Sequence, residues 1–216
     1  MENTNNYINT LRRDYSKHEL DESHVDKNPL AQFDAWFKDA VKAEVHEPNA
    51  MVLSTVSSER KPSARVLLLR GFNEKGFVFY SNYNSRKGME MEQNPYAAMT
   101  FYWQEIERQV RIEGKIEKQE EEKSTDYFNS RPRESKIGAW TSPQSKIIKS
   151  RSELDIKYAE LTEKYKNGEV LRPPFWGGYY LKPSSIEFWQ GRPSRLHDRI
   201  LYTFQNNDWK IERLAP

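Results

Sequence analysis

The stretch AMVLSTVSSERKPSARVLLLRGFNEKGFVFYSN, residues 50 to 82, decides the fold. Three short runs in it, Ala50–Val56, Ser63–Gly71 and Gly76–Ser81, are rich in β-branched and aromatic residues. Turn-prone Ser58-Glu59-Arg60-Lys61-Pro62 and Asn73-Glu74-Lys75-Gly76 separate them, so hairpins are predicted. Ala97–Trp103 and Arg108–Lys118 continue the pattern. A short helix over Ser85–Asn94 precedes them, capped by Ser85 and stopped by Asn94-Pro95. Beyond the Pro173-Pro174 break, Gly177–Leu181, Ser185–Gln190, Arg199–Phe204 and Trp209–Arg213 return to strand character. Antiparallel-looking strands with helices between them indicate a mainly β fold with peripheral helices, closed or half-closed into a barrel.

Three longer helical segments flank these strands. Asn28 caps the first and Pro29 opens it, with Leu30, Phe33, Phe37, Ala40 and Val41 on one stripe. Glu120–Ser130 is stopped by Arg131-Pro132. Ser150–Asn167 has Ser150 and Glu153 spaced as a capping box, Gly168 as its stop, and Leu154, Tyr158, Leu161 and Tyr165 on one face. Residues 1–27 are polar with little periodicity and read as a flexible N-terminal arm, leaving 28–216 as one domain.

Composition removes several chemistries. The chain has 216 residues and no cysteine, so thiolate nucleophiles, disulfides and cysteine-based metal sites are excluded. Its 34 basic and 32 acidic residues nearly cancel, so no global field favours nucleic acid or an anionic membrane, and any anion site must be local. Four scattered histidines do not approach a zinc motif, and no metal is expected. Dinucleotide, Walker and nucleophile-elbow fingerprints are lacking. The N-terminus lacks signal-peptide order, and no run approaches the ~20 apolar residues needed to cross a bilayer. A soluble, cytoplasmic protein is the expectation.

Four basic groups remain as candidates. Ser85-Arg86-Lys87 puts two cations in a first helical turn, where acidic residues are normally favoured; a bound phosphate would explain them, and so would a solvated basic turn. Arg65 and Arg70 bracket Val66-Leu67-Leu68-Leu69, as anion contacts at a cavity rim or as snorkelling side chains. Strict alternation puts them on opposite faces, so one pocket would need a bulge, a strand-end turn or a second subunit. Tyr127 and Arg131 are four apart and can share a face, with Ser135 adding a hydroxyl; an ordinary surface helix end reads the same way. Arg195, His197 and Arg199 alternate, which in extended chain presents cation, imidazole and cation on one face, near Trp189.

In order along the chain, a set of short pieces resembles the pyridoxine/pyridoxamine 5'-phosphate oxidase family. These are Arg65-Val66-Leu67-Leu68-Leu69-Arg70, Phe79-Tyr80-Ser81-Asn82, Ser85-Arg86-Lys87 and Glu107-Arg108-Gln109-Val110. Ser130-Arg131-Pro132-Arg133-Glu134-Ser135, Ile137-Gly138-Ala139-Trp140 and Phe175-Trp176-Gly177-Gly178 follow. Ile186-Glu187-Phe188-Trp189-Gln190-Gly191, Arg195-Leu196-His197-Asp198-Arg199 and Arg213-Leu214-Ala215-Pro216 complete the set, which spans roughly residues 12 to 216.

The resemblance implies a split β-barrel that binds FMN and works as a homodimer with sites at the subunit interface, about 176–216 forming a C-terminal dimerisation region. It implies that Arg65, Val66, Leu67, Leu68, Leu69, Arg70, Tyr80, Ser81, Arg86, Lys87, Gln109, Gln144, Ser145, Trp189 and Arg199 hold FMN. Substrate contacts would come from Arg12, Arg13, Asp14 and Tyr15 as a flap, from Arg70, Tyr127, Arg131 and Ser135 at the phosphate, and from Arg195, Leu196 and His197. Arg195 and His197 would flank the reacting ring, orienting it and stabilising charge. The implied reaction oxidises pyridoxine or pyridoxamine 5'-phosphate to pyridoxal 5'-phosphate by hydride transfer from C4' to FMN, with O2 reoxidising the flavin to give H2O2. Arg70 departs from the lysine common in the family, which keeps charge but changes reach. Two other readings stay open: another FMN oxidoreductase of this fold, of the phenazine-pathway type, and a non-catalytic binder of flavin or pyridoxal phosphate. The whole reading requires Lys87 and Arg131 to lie in one region.

Overall fold

The computed structural model describes residues 2–11 and 14–216. Its elements are α1 (Glu2–Thr10), α2 (Pro29–Lys42), β1 (Ala50–Val56), β2 (Pro62–Leu68), β3 (Gly71–Asn73), β4 (Gly76–Asn82) and α3 (Arg86–Gln93). Then come β5 (Tyr96–Trp103), β6 (Arg108–Lys118), α4 (Glu121–Ser130), α5 (Arg133–Thr141), α6 (Arg151–Lys164), β7 (Trp176–Gln190), β8 (Asp198–Gln205) and β9 (Asp208–Arg213). The described strands are hydrogen-bonded in the order β2-β1-β5-β6-β7-β4-β3, with β8 on β7 and β9 on β8. The chain divides into two compact units, one of residues 1–48, 100–112 and 185–216, the other of residues 49–99 and 113–184.

In the first unit α2 forms where predicted. Asn28 Oδ1 accepts from the Leu30 N–H at 2.9 Å and Pro29 follows it, so the cap supplies one orphan donor's partner while proline needs none. The buried face packs Phe33 on Phe101 and Trp36 edge-on against Phe188, with ring centroids 5.2 and 5.1 Å apart. Strand β8 pairs antiparallel with the end of β7 and with β9, closing on the Asn206-Asn207 turn, where both residues have positive φ. The stretch read as a polar arm contains α1. Further on, the N–H groups of Ser16 and Lys17 donate to Glu107 Oε2, and Leu20 is buried.

The second unit opens with the predicted hairpins. Residues of β1 and β2 pair from Ala50 with Leu68 to Val56 with Pro62. Strand β2 ends at Leu68, three residues short of its expected end at Gly71. The Leu69 N–H turns to Asn49 O and the Arg70 N–H to Val78 O, both at 2.8 Å, and the chain leaves along β4. Strands read separately as Gly177–Leu181 and Ser185–Gln190 form the single strand β7. Gly114 makes this possible: a Cβ there would lie 2.0 Å from Lys182 O, so only glycine lets β6 pass this close to the Lys182-Pro183 backbone.

Helix α5, absent from the sequence reading, packs Ile137 with Phe128, Val170 and Trp176, and Tyr158, Leu161 and Tyr165 of α6 and its end cover that cluster. The predicted capping box at α6 does not form. Ser150 makes no side-chain cap bond, and Glu153 instead accepts from the Lys149 N–H at 3.2 Å. No helix of the described residues is long and apolar enough to cross a membrane.

Candidate active site

In the second unit the basic residues converge in two places. The first lies at the N-terminus of α3. Ser85 Oγ caps the helix by accepting from the Gly88 N–H, which leaves Arg86 and Lys87 in the first turn. Lys87 is buried, and its Nζ reaches Gln144 Oε1 at 2.9 Å, Ser81 Oγ at 3.3 Å and Ser85 Oγ at 3.5 Å. These partners are neutral. Burial and then Arg65 push the Lys87 ammonium below its usual pKa. Arg65 donates to Leu53 O, Thr55 Oγ1 and Ser63 Oγ, and it too is lowered, mainly by burial.

The second place is a cleft of about 310 Å³ lined by Val66, Leu67, Leu68, Arg70, Tyr80, Tyr127, Arg131 and Trp176. Because β2 stops at Leu68, Arg70 is carried on the strand-end turn, and it lines this cleft while Arg65 stays with the first place, so the two do not share a pocket in one chain. Tyr80 stacks on Tyr127 at 3.8 Å and on Trp176 at 5.4 Å, and the Arg131 guanidinium lies 4.7 Å from the Trp176 ring. Arg131 Nη1 is buried and has no hydrogen-bond acceptor among the described residues. Burial, then the nearby Arg70, lowers its pKa, and desolvation pushes the Tyr80 phenol up to about 12. A buried donor without an acceptor, beside a second cation and a cleft, suits an incoming anion.

The two places are linked. Arg131, Ser135, Gln144 and Trp176 line one cavity of about 290 Å³, and Gln144 is the residue that Lys87 holds. Lys87 and Arg131 therefore share a region, as the sequence reading requires. Trp176 supports both Arg131 and Tyr80, a role that its aromatic character alone signals in the sequence. Val66 is exposed, Leu69 is buried outside the cleft lining, and Ser145 is exposed with φ 71°.

In the first unit, Leu11, Asp14, Tyr15, Trp189, Arg192, Ser194, Arg195 and His197 line a cleft of about 910 Å³. The His197 ring lies 4.6 Å from Trp189 and 5.7 Å from Tyr15. Arg192 N–H donates to His197 Nδ1 at 3.1 Å, so the neutral ring carries its proton on Nε2. Burial and then Arg195 lower the His197 pKa below 6.5, which favours that neutral form. Gly191 makes room for Tyr15: a Cβ at 191 would lie 2.7 Å from the Tyr15 Cβ.

The expected row of Arg195, His197 and Arg199 on one extended face is not formed. Pro193–Arg195 is a 3-10 turn with Ser194 and Arg195 at φ 57° and 61°, and β8 begins only at Asp198. Arg199 turns to the buried Glu187, with Nε to Oε1 at 2.8 Å and Nη2 to Oε2 at 3.1 Å. Leu196 is exposed and Gln109 is half-buried on β6. Arg12 and Arg13 lie outside the described residues.

Among solved structures, the fold is similar to PhzG from Burkholderia lata 383 in complex with tetrahydrophenazine-1-carboxylic acid. The TM-score is 0.88 at 29% identity, covering 94% of this chain and 100% of that one. A pyridoxamine 5'-phosphate oxidase-related, FMN binding protein from Nostoc punctiforme shares the fold at TM-score 0.69 and 18% identity, over 88% of this chain and 98% of that one. Strand order and peripheral helices define a protein of the split-barrel class. Residues 37–165 match the family described as pyridoxamine 5'-phosphate oxidase, and 176–216 match the pyridoxine 5'-phosphate oxidase C-terminal dimerisation region. Pyridoxine/pyridoxamine 5'-phosphate oxidases of Acaryochloris marina and Burkholderia mallei are 53% and 56% identical to it, over 99% and 95% of this chain and 97% of each relative. The chain belongs to the pyridoxine/pyridoxamine 5'-phosphate oxidase family, whose names indicate an oxidase.

Proposed function

We propose that the protein oxidises pyridoxine 5'-phosphate and pyridoxamine 5'-phosphate to pyridoxal 5'-phosphate, with FMN as its cofactor and O2 as final oxidant. The observation that carries this reading is the buried, acceptor-less Nη1 of Arg131 beside Arg70 and Tyr127, in a region linked through Gln144 to a second set of cations, Arg65, Arg86 and Lys87. Two cation sets with few carboxylates fit two phosphate groups, one on the substrate and one on FMN. The donor set around Lys87 fits a phosphate monoester: an ammonium whose direct partners are hydroxyl and amide oxygens is short of negative charge. Bound there, FMN supplies the hydride acceptor and, through O2, yields H2O2.

The chain's own residues bind and orient. Arg70, Tyr127, Arg131 and Ser135 anchor the substrate phosphate away from the reacting carbon, so binding energy serves to fix that carbon's position. Arg195 and His197 flank the substrate ring. With Nδ1 already accepting from Arg192, neutral His197 offers Nε2–H as a donor, which suits orientation and charge stabilisation rather than proton abstraction. Asp14 and Tyr15, which line the cleft beside His197, belong to a flap over the ring. Gln109, Ser145, Trp189 and Arg199 complete the FMN contacts at the interface of a homodimer; the dimerisation-region match supports the homodimer.

The likeness to PhzG favours one second reading, an FMN oxidoreductase acting on a phenazine precursor. Anaerobic addition of pyridoxamine 5'-phosphate to the flavin-loaded protein tests both. Bleaching of the flavin spectrum, and peroxide on readmitting air, are expected; a spectrum unmoved by this substrate overturns the proposal.

A further inference from the structure

We propose that Glu90 is a positioning residue that orients Arg65 and Arg86 for the FMN phosphate and trims the charge of that site to match a phosphate dianion. This rests on the flavin reading above and adds a residue that reading does not contain.

Glu90 sits on α3 four residues after Arg86, where a glutamate ordinarily makes an exposed helix pair of little consequence. Here the carboxylate is buried, with only 4% of the residue exposed, and four side chains close on it. Oε2 accepts from Thr55 Oγ1 at 2.5 Å, Ser63 Oγ at 2.6 Å and Arg65 Nη2 at 3.4 Å. Oε1 accepts from Arg86 Nε at 2.8 Å. Thr55 and Ser63 are register partners across β1 and β2, so the hairpin presents both hydroxyls at one level and fixes where the carboxylate must stand.

Two consequences follow for the cations. Among the described residues Arg86 is held by Nε alone, with no partner at Nη1 or Nη2, and its side chain is 61% exposed, so the planar fork is aimed but free. A fork pinned at its inner edge loses less freedom when it takes up a phosphate bidentately. Arg65 is the reverse case, its two terminal nitrogens engaged by Leu53 O, Thr55, Ser63 and Glu90, so it contributes charge from a fixed position. Charge matching is the second consequence. Arg65, Arg86 and Lys87 together bring three positive charges, Arg65 is felt by both of the others, and Glu90 removes one, leaving two. A phosphate monoester near neutral pH carries close to two negative charges. Burial pushes the Glu90 carboxyl up, but hydrogen bonds from Ser63, Thr55 and Arg86 outweigh it and hold the group at about 2, so it stays ionised throughout the working range.

The test titrates the full chain, freed of flavin, with FMN and separately with riboflavin, following flavin fluorescence. Wild type is expected to prefer FMN. Glu90→Gln keeps the size and loses the charge; the lost hold on Arg86 and Arg65 is expected to outweigh the gain in local positive charge and lower FMN affinity about 10-fold, while leaving riboflavin affinity within about twofold. In Arg86→Gln, adding Glu90→Gln is expected to lower FMN affinity by less than it does in wild type, because Glu90 acts partly through Arg86. An E90Q protein that retains the full FMN preference, or loses both flavins equally, overturns the inference. If E90Q does not fold, Ser63→Ala replaces it: a smaller loss confined to FMN supports the role, and an unchanged preference overturns it. A wild type indifferent to the phosphate overturns the flavin-phosphate reading itself, a result distinct from failure of Glu90 alone.

Discussion

Arg65 and Arg131 are two half-buried guanidinium groups of the same unit, and the protein treats them in opposite ways. Arg65 is satisfied by a carbonyl, two hydroxyls and the Glu90 carboxylate. Arg131 has rings for neighbours, Phe128 and Trp176, and an Nη1 with no acceptor. Burial disfavours the charged form of both. An unpaired buried donor costs about 1–3 kcal/mol, more when charged, and persists where something from outside completes it. Under the proposed function, the contrast would separate a scaffold for a resident anion from a receiver for one that comes and goes.

Substitutions can break or sharpen that contrast. The largest effect is expected at Arg131→Met, which should lower kcat/KM for pyridoxamine 5'-phosphate about 100-fold, roughly 2.7 kcal/mol of charge-assisted hydrogen bonding. Thermal melting should show Tm unchanged or raised, because a charge without a partner is replaced by an apolar chain. Arg65→Met should instead destabilise by about 2 kcal/mol, less than the ~3–5 kcal/mol of a fully orphaned buried charge, since Ser63, Thr55 and Arg86 still hold Glu90. That is a Tm loss of about 4–8 °C for a chain of this size. Equal Tm losses in the two variants would erase the distinction.

Arg70→Lys is a smaller change. Charge is retained, so KM should move by only about two- to fivefold with kcat unaffected, read from steady-state kinetics. Smallest is Arg195→Leu seen through His197. Burial and Arg195 together lower the imidazole pKa below 6.5. The folded state thus prefers the neutral ring; stability linked to it is whole above about pH 6.5 and falls as pH drops toward the folded value, because the unfolded chain takes up the proton first. Removing Arg195 should raise the His197 pKa, and an NMR titration in which it stays put or drops would discard Arg195 as a cause.

Much of the fold was legible because local rules and tertiary packing agree. Asn28-Pro29 caps α2, Ser85 caps α3, and the Ser58–Pro62 and Asn73–Gly76 turns close their hairpins. Where one local signal was outvoted, the reading failed. Ser150 and Glu153 have capping-box spacing, but Glu153 bonds Lys149 instead. Helix α5 follows Arg131-Pro132 directly and buries only Ile137 and Thr141, too little periodicity to see. The site divided the same way. Cations in unfavourable places, such as Lys87 in a first helical turn, marked residues that the structure brings near one another through Gln144. Alternation misled at Arg195 because two left-handed residues break the extended chain. Glu90 and Glu187 stayed hidden, since a carboxylate near arginines looks the same in sequence whether it is solvated or buried.

Gly191 has one more implication. The space its missing side chain leaves is filled by Tyr15, whose ring meets both Trp189 and His197, and the next residues of that segment are tied to Glu107. One methyl group added at 191 would therefore be felt at the imidazole by way of a tyrosine more than 170 positions earlier in the chain. The placement of Tyr15 against the imidazole thus depends on residue 191 carrying no side chain.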